Sequence, residues 1–227
     1  GMFDVSAATI RSDLREMQEA GLLTRTHGGA IPRSQTAYEP NAREKLVQHA
    51  AEKRRIAQAA LGLIEDGDTI LLDTGTTTAE VAKGLGDRSN LKVVTNDLEI
   101  ARLLEDVPRL EVIVLGGMLR SGFHCTVGYL GLMNTRDLRV DKAFMGANAF
   151  SLDAGATTPS VQHAETKKAM MAMANQKILL CDSSKIGQAA FARFASAGEL
   201  DVLITDRLES DLADALVELG VETILAS

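Results

Sequence analysis

The sequence contains no tryptophan, and aromatic residues make up only 4% of its 227 residues. We therefore expect a core of aliphatic side chains and methionine. The two cysteines, Cys125 and Cys181, lie far apart and form no C-x-x-C pair, which argues against a zinc site or a disulfide framework. No apolar run approaches the roughly 18 residues that a membrane-spanning helix needs, and no secretory signal opens the chain. We expect a protein of the reducing cytoplasm that uses no metal and no cofactor.

The chain also lacks an excess of basic residues, since 31 acidic residues outnumber 24 Lys and Arg and give a net charge of −7. Residues 1–33 hold four Arg against four acidic residues, so the net negative charge lies in the remainder. An acidic body repels nucleic-acid phosphates and favours a small-molecule or metabolic domain. Any contact with DNA must then come from a few well-placed side chains.

The first 33 residues have the pattern of a recognition helix followed by a wing. Ser6 is suited to cap a helix, and apolar residues then recur at helical spacing at Ile10, Leu14 and Met17. Gly21 ends this helix, and a strand over residues 22–26 turns at Gly28-Gly29. The side chains that we expect to contact phosphates and base edges are Ser6, Thr9, Arg11, Ser12, Arg15, Arg25 and His27.

A helix-turn-helix needs a first helix before the recognition helix, and there is no room for one before Val5. Gly1 before Met2 has the look of a tag remnant. We therefore expect the helix-turn-helix to be partial and its own DNA affinity to be poor.

Beyond a linker over residues 34–43, residues 44–227 are predicted to form a second domain that opens with one long helix from about Glu44 to Ile64. Short apolar strands then alternate with helices, which predicts βαβ units and a mostly parallel, Rossmann-like α/β sheet. The predicted strands are 69–72, 91–95, 110–115, 142–145, 177–181, 200–205 and 222–225. The predicted helices between them are 79–85, 98–104, 162–174 and 212–219.

The loop from Asp73 to Thr78 is the sharpest candidate site, because it leads from a strand into a helix. Gly75 permits a tight backbone, and the N–H groups and threonine hydroxyls at a helix N-terminus suit a phosphate. The loop has neither the Walker A pattern nor G-x-G-x-x-G. A threonine-rich helix cap without a ligand is the alternative interpretation of the same residues.

Ordered motifs give the chain a resemblance to the DeoR-type sugar-responsive bacterial repressors. The N-terminal part carries V-S-x-x-T-I-R-x-D-L over residues 5–14 and R-x-H-G-G-A over residues 25–30. The remainder carries the order of the family's sensor domain in LDTGTTT (72–78), VVTN (93–96), LGGMLR (115–120), DKAFMG (141–146) and DSSKIG (182–187). The resemblance implies a fold similar to ribose-5-phosphate isomerase and glucosamine-6-phosphate deaminase, a phosphorylated sugar as effector, operator DNA as partner, and a homo-oligomer.

On this basis the residues expected at the effector site are Asp73, Gly75, Thr76, Thr77, Thr78, Thr95, Asn96, Gly117, Lys168, Asp182 and Lys185. Lys185 would assist the phosphate, whereas a surface pair with Glu165 is an equally good interpretation of Lys168. His124 is expected to be an ordinary loop residue.

Two rival functions stay open at this point. A sugar-phosphate isomerase or deaminase with a vestigial N-terminal arm would need a carboxylate base near the sugar. Asn148 and Ser151 cannot serve as that base, and Asp153 lies beyond the strand end. Related sensor domains carry Gly where this chain has Ala149 and Asp where it has Ser151, which weakens the match at the sugar pocket. The other rival is a binding module without a ligand.

Overall fold

The computed structural model describes residues 6–19, 23–26, 29–32, 39–128, 133 and 135–227. The chain divides into two compact units, Gly1–Glu39 and Pro40–Ser227.

The N-terminal unit contains one helix and one hairpin among its described residues. Helix α1 (Ala7–Glu19) is followed by β1 (Leu23–Thr26) and β2 (Gly29–Pro32), which pair in antiparallel fashion. The hydroxyl oxygen of Ser6 accepts a hydrogen bond from the Thr9 N–H at 3.1 Å, which confirms the predicted N-cap. Leu23 is buried, but Ile10 and Met17 stay exposed, because one helix and a two-stranded hairpin cover little area.

The second unit is built on a seven-stranded parallel sheet in the order β14-β13-β11-β8-β3-β4-β5. These strands are β3 (Thr69–Leu72), β4 (Leu91–Thr95), β5 (Leu110–Val114), β8 (Val140–Gly146), β11 (Ala174–Leu180), β13 (Val202–Thr205) and β14 (Glu222–Leu225). The helices are α2 (Ala42–Val47), α3 (Ala50–Leu61), α4 (Thr76–Lys83), α5 (Leu98–Leu104), α6 (Val161–Met171) and α7 (Ser210–Glu218). The predicted α/β class with a mostly parallel sheet is therefore confirmed.

The core lies on both faces of this sheet because successive strand residues point to opposite sides. In β3, Leu71 packs with α6 residues such as Met170 on one face. Its neighbours Ile70 and Leu72 pack with α3 and α4 on the other face, where Ile56 is fully buried. Both faces of the sheet are covered, as a parallel sheet requires.

Two small antiparallel sheets were not predicted. One is the hairpin of β6 (Met118–Arg120) and β7 (Cys125–Val127), and the other joins β9 (Ala149–Ser151), β10 (Gly155–Thr158) and β12 (Ala192–Ala195). These strands have three or four residues and no apolar run, so their sequences carry no periodic signal.

The prediction of one helix from Glu44 to Ile64 was wrong. The segment forms α2 and α3, with His49 between them in the left-handed region at φ 51°. Lys53 donates from its Nζ to the carbonyl oxygens of Lys45 and Gln48, so the end of α2 is satisfied by a side chain instead of by a continuing helix. Helix α2 also begins inside the segment predicted as a linker, with Asn41 as its cap.

Candidate effector site

Polar side chains collect at the carboxyl edge of the parallel sheet. Asp73 follows β3, Asn96 and Asp97 follow β4, Gly146 ends β8, and Asp182 follows β11. Parallel strands end at the same edge, which is where ligands bind in open α/β sheets. All four acidic or amide side chains in this set are buried.

A sealed ion pair lies at the centre of this edge. Asp73 Oδ2 pairs with Lys167 Nζ, and the two side chains are 0% and 2% exposed. Lys167 also donates to the Gly146 carbonyl at 2.9 Å, and the Gly146 N–H donates to Asp73 Oδ2 at 2.9 Å. The pair therefore ties the ends of β3 and β8 to helix α6.

Sequence reasoning missed Lys167 and chose its neighbour Lys168. Lys168 is half exposed and pairs with Glu165 at 2.8 Å on the surface of α6, so the surface alternative describes its position. Helical spacing holds the signal for Lys167, which lies three residues after Ala164 and three before Met170, both buried. An apolar stripe with one lysine in it indicates a lysine with a buried partner.

Asp97 organises the loop that follows β3. Its Oδ1 accepts from the N–H groups of Glu99 at 2.8 Å and Ile100 at 3.1 Å, which caps α5. Its Oδ2 accepts from the Thr74 hydroxyl at 2.6 Å. Burial raises the pKa of Asp97, although these hydrogen bonds oppose the shift.

The threonines at the start of α4 divide into two roles. Gly75 precedes the helix at φ 152°, a backbone conformation that L side chains rarely adopt. Thr78 is fully buried and its hydroxyl donates back to the Gly75 carbonyl at 2.9 Å, so this hydroxyl closes the loop. Thr77 is buried and Thr76 is partly exposed. The N–H groups of a first helical turn have no partner inside the helix.

A second aspartate–lysine pair follows β11. Asp182 is 1% exposed and its Oδ2 lies 3.0 Å from Lys185 Nζ, whose side chain is 26% exposed. The Ser184 hydroxyl donates to Asp182 Oδ1, and Ser183 binds Asp206 through both its N–H and its hydroxyl. Burial alone would raise the pKa of Asp182, but the Lys185 charge and the hydrogen bonds from Ser184 and Lys185 lower it overall.

A shallow depression opens beside Asn96. Its lining consists of Asn96, Leu115, Gly116, Thr126, Val127, Gly128 and Thr166. Asn96 donates from Nδ2 to the Thr126 carbonyl at 2.9 Å. Within the described residues, the buried acceptor oxygens Asn96 Oδ1 and Asp73 Oδ1 have no hydrogen-bond donor. Unsatisfied buried acceptors are rare in native proteins and call for an explanation.

Thr95 and Gly117 have structural contacts that sequence reasoning did not foresee. Thr95 is buried and its hydroxyl oxygen accepts from the Asp97 N–H at 3.0 Å. A Cβ on Gly117 would lie 2.7 Å from the Val127 carbonyl oxygen, so this glycine permits β6 and β7 to approach. Both residues shape the edge of the sheet near the site.

The expected DNA-contacting residues fall mainly on α1. Ser6, Thr9, Arg11, Ser12 and Arg15 are all exposed there. Arg25 lies in β1, and His27 lies outside the described residues. The helix therefore presents two arginines to solvent.

Neither thiol is activated, because burial raises the pKa of Cys125 to about 11 and that of Cys181 to about 12. Among the described residues, no three His, Cys, Asp or Glu side chains come together as a metal site. The same residues include no helix with the length and apolar character to span a bilayer.

The two units match two domain families that together define a class of protein, the transcriptional regulators that read DNA with a helix-turn-helix and carry a separate sensor domain. The DeoR C-terminal sensor domain matches residues 48–207, and the DeoR-like helix-turn-helix domain matches residues 1–36. The chain belongs to the DeoR family of transcriptional regulators.

Curated relatives agree over nearly the whole chain. The HTH-type transcriptional regulator GlpR of Haloferax volcanii is 36% identical over 96% of this chain and 86% of its own. The HTH-type transcriptional repressor CsqR of Escherichia coli K12 is 34% identical over 96% and 85%. A lactose phosphotransferase system repressor of Staphylococcus epidermidis is 37% identical over 97% and 88%.

Solved structures with a similar fold include a D-ribose-5-phosphate isomerase in complex with phospho-erythronic acid. It is 22% identical, with a TM-score of 0.46 over 60% of this chain and 54% of the other. A ribose-5-phosphate isomerase from Methanocaldococcus jannaschii is 23% identical, with a TM-score of 0.43 over 59% and 53%. The chain thus spans little more than half of these enzymes.

Proposed function

We propose that this regulator is a repressor of carbohydrate genes and that its effector, a phosphorylated sugar, binds with its phosphate at the Asp73–Thr78 loop. The observation that carries the proposal is the fixed start of α4. Asp97 holds the Thr74 hydroxyl and the Thr78 hydroxyl holds the Gly75 carbonyl, so the first-turn N–H groups of α4 have a set direction. A helix N-terminus favours a dianion through these donors and through the helix dipole.

The sugar part of the effector finds acceptors at the same edge. Asp73 Oδ1 and Asn96 Oδ1 are buried without a donor among the described residues, and Asn96 lines the depression. Sugar hydroxyls are donors that would satisfy such oxygens. Lys185, partly exposed beside Asp182, supplies a cation for the phosphate or for sugar oxygens.

A non-enzymatic role fits the carboxylates at this edge. Aldose–ketose isomerisation needs a carboxylate that is free to accept a proton from the sugar. Asp73 is paired with Lys167, and Asp97 accepts bonds from a hydroxyl and from backbone N–H groups. Asp182 is paired with Lys185. Asn148 lies two residues after the end of β8, and its side chain is no base. We propose that the site binds its ligand without turnover.

The DNA-reading part of the proposal places operator contacts on α1. Helix-turn-helix repressors bind paired half-sites as dimers, so we propose that the protein acts as a homo-oligomer in the cytoplasm, where its operator lies. Sedimentation of the purified protein tests whether it is a homo-oligomer. A monomer at the concentrations that bind operator DNA would contradict it.

A panel of sugar phosphates tests the effector proposal. A ligand that binds only the native state must raise the melting temperature, and calorimetry then gives its affinity. We expect a monophosphorylated sugar to bind and the same sugar without phosphate to bind at least tenfold more weakly. Equal affinity for the free sugar would overturn the phosphate site, and turnover of any sugar phosphate would overturn the non-enzymatic role.

Three variants locate the phosphate. Gly75→Val puts a branched side chain at φ 152° and is expected to abolish binding, while Lys185→Met is expected to weaken it about tenfold or more. Thr77→Ala is expected to cost about 1 kcal/mol or more, as for a hydrogen bond to a charged group. Lys168→Met, on the surface of α6, is the matched control and should bind normally. Circular dichroism shows whether each variant is folded, and unchanged affinity in folded Lys185→Met and Thr77→Ala would place the ligand elsewhere.

Arg11 and Arg15 test the DNA-reading helix. Each phosphate contact that is lost should reduce the salt dependence of operator affinity by about one unit of slope. Arg11→Ala and Arg15→Ala are measured by mobility shift over a range of salt, with Arg102→Ala on α5 as the control. An unchanged slope in the double variant would mean that α1 does not contact DNA.

A further inference from the structure

The turn of the β6–β7 hairpin, residues 121–124, holds the first residues of two helices. The Ala42 N–H at the start of α2 donates to the Gly122 carbonyl at 3.0 Å, and the Leu98 N–H at the start of α5 donates to the His124 carbonyl at 2.8 Å. Gly122 and His124 both lie in the left-handed region, at φ 81° and 56°. The first N–H groups of a helix have no acceptor inside it, and here two helices find acceptors in one turn.

The α5 side of this hairpin turn reaches the effector site. Cys125, the first residue of β7, forms an antiparallel bridge with Asp97. Asp97 caps α5 and also accepts a hydrogen bond from the Thr74 hydroxyl at 2.6 Å. The hairpin turn can therefore leave α5 only by disturbing the residue that holds the Asp73–Thr78 loop.

The α2 side of the hairpin turn is held by the Phe123 ring. The Arg120 guanidinium lies 3.8 Å from the ring centroid, and Lys45 Nζ from α2 lies 5.4 Å from it. Cations within about 6 Å of an aromatic centroid are attracted to the ring face. A Cβ on Gly122 would lie 3.9 Å from the Asn41 Cβ, so the turn also packs on the cap of α2. One turn thus contacts both α2 and the residues that hold the effector loop.

We propose that the hairpin turn couples the Asp73–Thr78 loop to α2, with Phe123 as the positioning residue, so that an anion bound at the loop stabilises α2 without touching it. Because their contacts are shared, α2, the hairpin turn and the start of α5 open as one cooperative unit. A ligand that binds only the closed loop raises the free energy of every opening that destroys its site. The anion site rests on the proposed function, whereas the shared contacts do not depend on it.

The place of α2 in the chain gives this coupling a consequence. Helix α2 starts at Ala42, three residues after Glu39, the last residue of the N-terminal unit. It contains no buried residue, so it depends on contacts with other elements for its stability. Occupancy of the effector loop thereby changes the order of the segment by which the chain enters the sensor unit.

Hydrogen exchange of the full chain tests the coupling, with inorganic phosphate as the probe and calorimetry to measure its Kd. At roughly ten times the Kd, the α2 amides should exchange about elevenfold more slowly than in the free protein, as should the α5 amides that Asp97 caps. Phe123→Ala should keep this slowing in α5 and lose it in α2. If Phe123 only stabilised the fold, its loss would speed exchange in α2 and leave the phosphate effect intact.

Two matched variants serve as controls. Phe123→Tyr keeps an aromatic face for the two cations and should retain the phosphate effect on α2. Leu119→Ala removes a large apolar side chain of the same hairpin that is 60% exposed, and it should also retain the effect. Circular dichroism shows whether each variant is folded.

A second arm of the experiment needs no ligand. Thr74→Val removes the hydroxyl that donates to Asp97 and should speed exchange of the α2 amides about tenfold, as expected for the loss of a hydrogen bond to a charged group. In a Phe123→Ala background, the same change should leave α2 exchange unaltered. This pair of measurements tests the coupling with the effector loop empty.

The outcomes separate the coupling from the anion site. Phosphate that binds and slows exchange in α5 but not in α2 would overturn the coupling. A phosphate effect on α2 that survives in Phe123→Ala would overturn it as well, because α2 also packs against α4 and the effect would then run through that contact. Absence of phosphate binding counts against the proposed anion site alone, and the ligand-free arm then decides: unchanged α2 exchange in Thr74→Val would overturn the coupling.

Discussion

Two aspartate–lysine pairs lie at the same edge of the sheet, and they differ in their access to solvent. Asp73 and Lys167 are 0% and 2% exposed, and Lys167 also binds the Gly146 carbonyl. In the other pair, Asp182 is 1% exposed while Lys185 is 26% exposed. The first pair joins elements that are distant in sequence, whereas the second lies within four residues of one loop.

The difference separates architecture from recognition. A sealed ion pair costs desolvation on both sides, so its value lies in fixing which strand ends meet which helix. A lysine side chain that stays partly exposed to solvent can exchange water for an anion at a much lower desolvation cost. We therefore propose that Lys167 serves the assembly of the site and that Lys185 contacts the effector.

The largest effect is expected from opening the sealed pair. Lys167→Met leaves Asp73 buried without its cation and should reduce the free energy of unfolding by about 3–5 kcal/mol. Denaturant unfolding measures this loss, and the slope with denaturant shows whether the variant unfolds in one step.

The double variant Lys167→Met/Asp73→Asn separates a lost charge from lost packing. It removes both charges, so it should recover a large part of the stability that the single variant loses. If the double variant is as unstable as Lys167→Met, or if the single variant is as stable as the wild type, the pair is not the junction described here.

This comparison also shows what the sequence could and could not predict. The strands from β3 to β14 in the large sheet follow from apolar runs, and helix α1 follows from its cap and spacing. Lys167 was missed because its partner Asp73 lies 94 residues away and no local pattern joins them. Nor does a sequence show that the Thr78 hydroxyl turns back to the Gly75 carbonyl.

The prediction of one unbroken helix through His49 was wrong for the same kind of reason. Local propensity favours a continuous helix through the alanine-rich segment, since alanine is the best helix former. A tertiary contact overrides that propensity, because Lys53 satisfies the end of α2. The strands of the two small antiparallel sheets have only three or four residues and no apolar run, so they too carry no local sequence pattern.

An intermediate effect on the free energy of unfolding is expected from the Asp182–Lys185 pair, and this effect should depend on pH. The pKa of Asp182 is lowered in the folded protein, so its carboxylate contributes stability above its ordinary pKa near 3.8, and this contribution is lost as the pH falls through the lowered value. Lys185→Met removes the main favourable charge and should cost about 1 kcal/mol near pH 7, as for a partly exposed ion pair.

Unfolding of the wild type and Lys185→Met between pH 7 and pH 3 checks this sign. The two curves should converge in acid, because protonated Asp182 no longer attracts Lys185. A difference that is constant over this range would mean that Lys185 acts through packing instead of through charge.

The smallest effect is expected at Lys168, which tests how sharply position on α6 decides the role of a lysine. Lys168 follows Lys167 directly, yet it is half exposed and pairs with Glu165 at 2.8 Å. Exposed pairs at this spacing contribute about 0.3–0.5 kcal/mol and are screened by salt. Lys168→Met should therefore change the unfolding free energy by no more than about 0.5 kcal/mol, and less at high salt, with effector affinity unchanged. A loss comparable to that of Lys167→Met, or a tenfold loss of effector affinity, would show that both lysines belong to the site and that burial does not separate their roles.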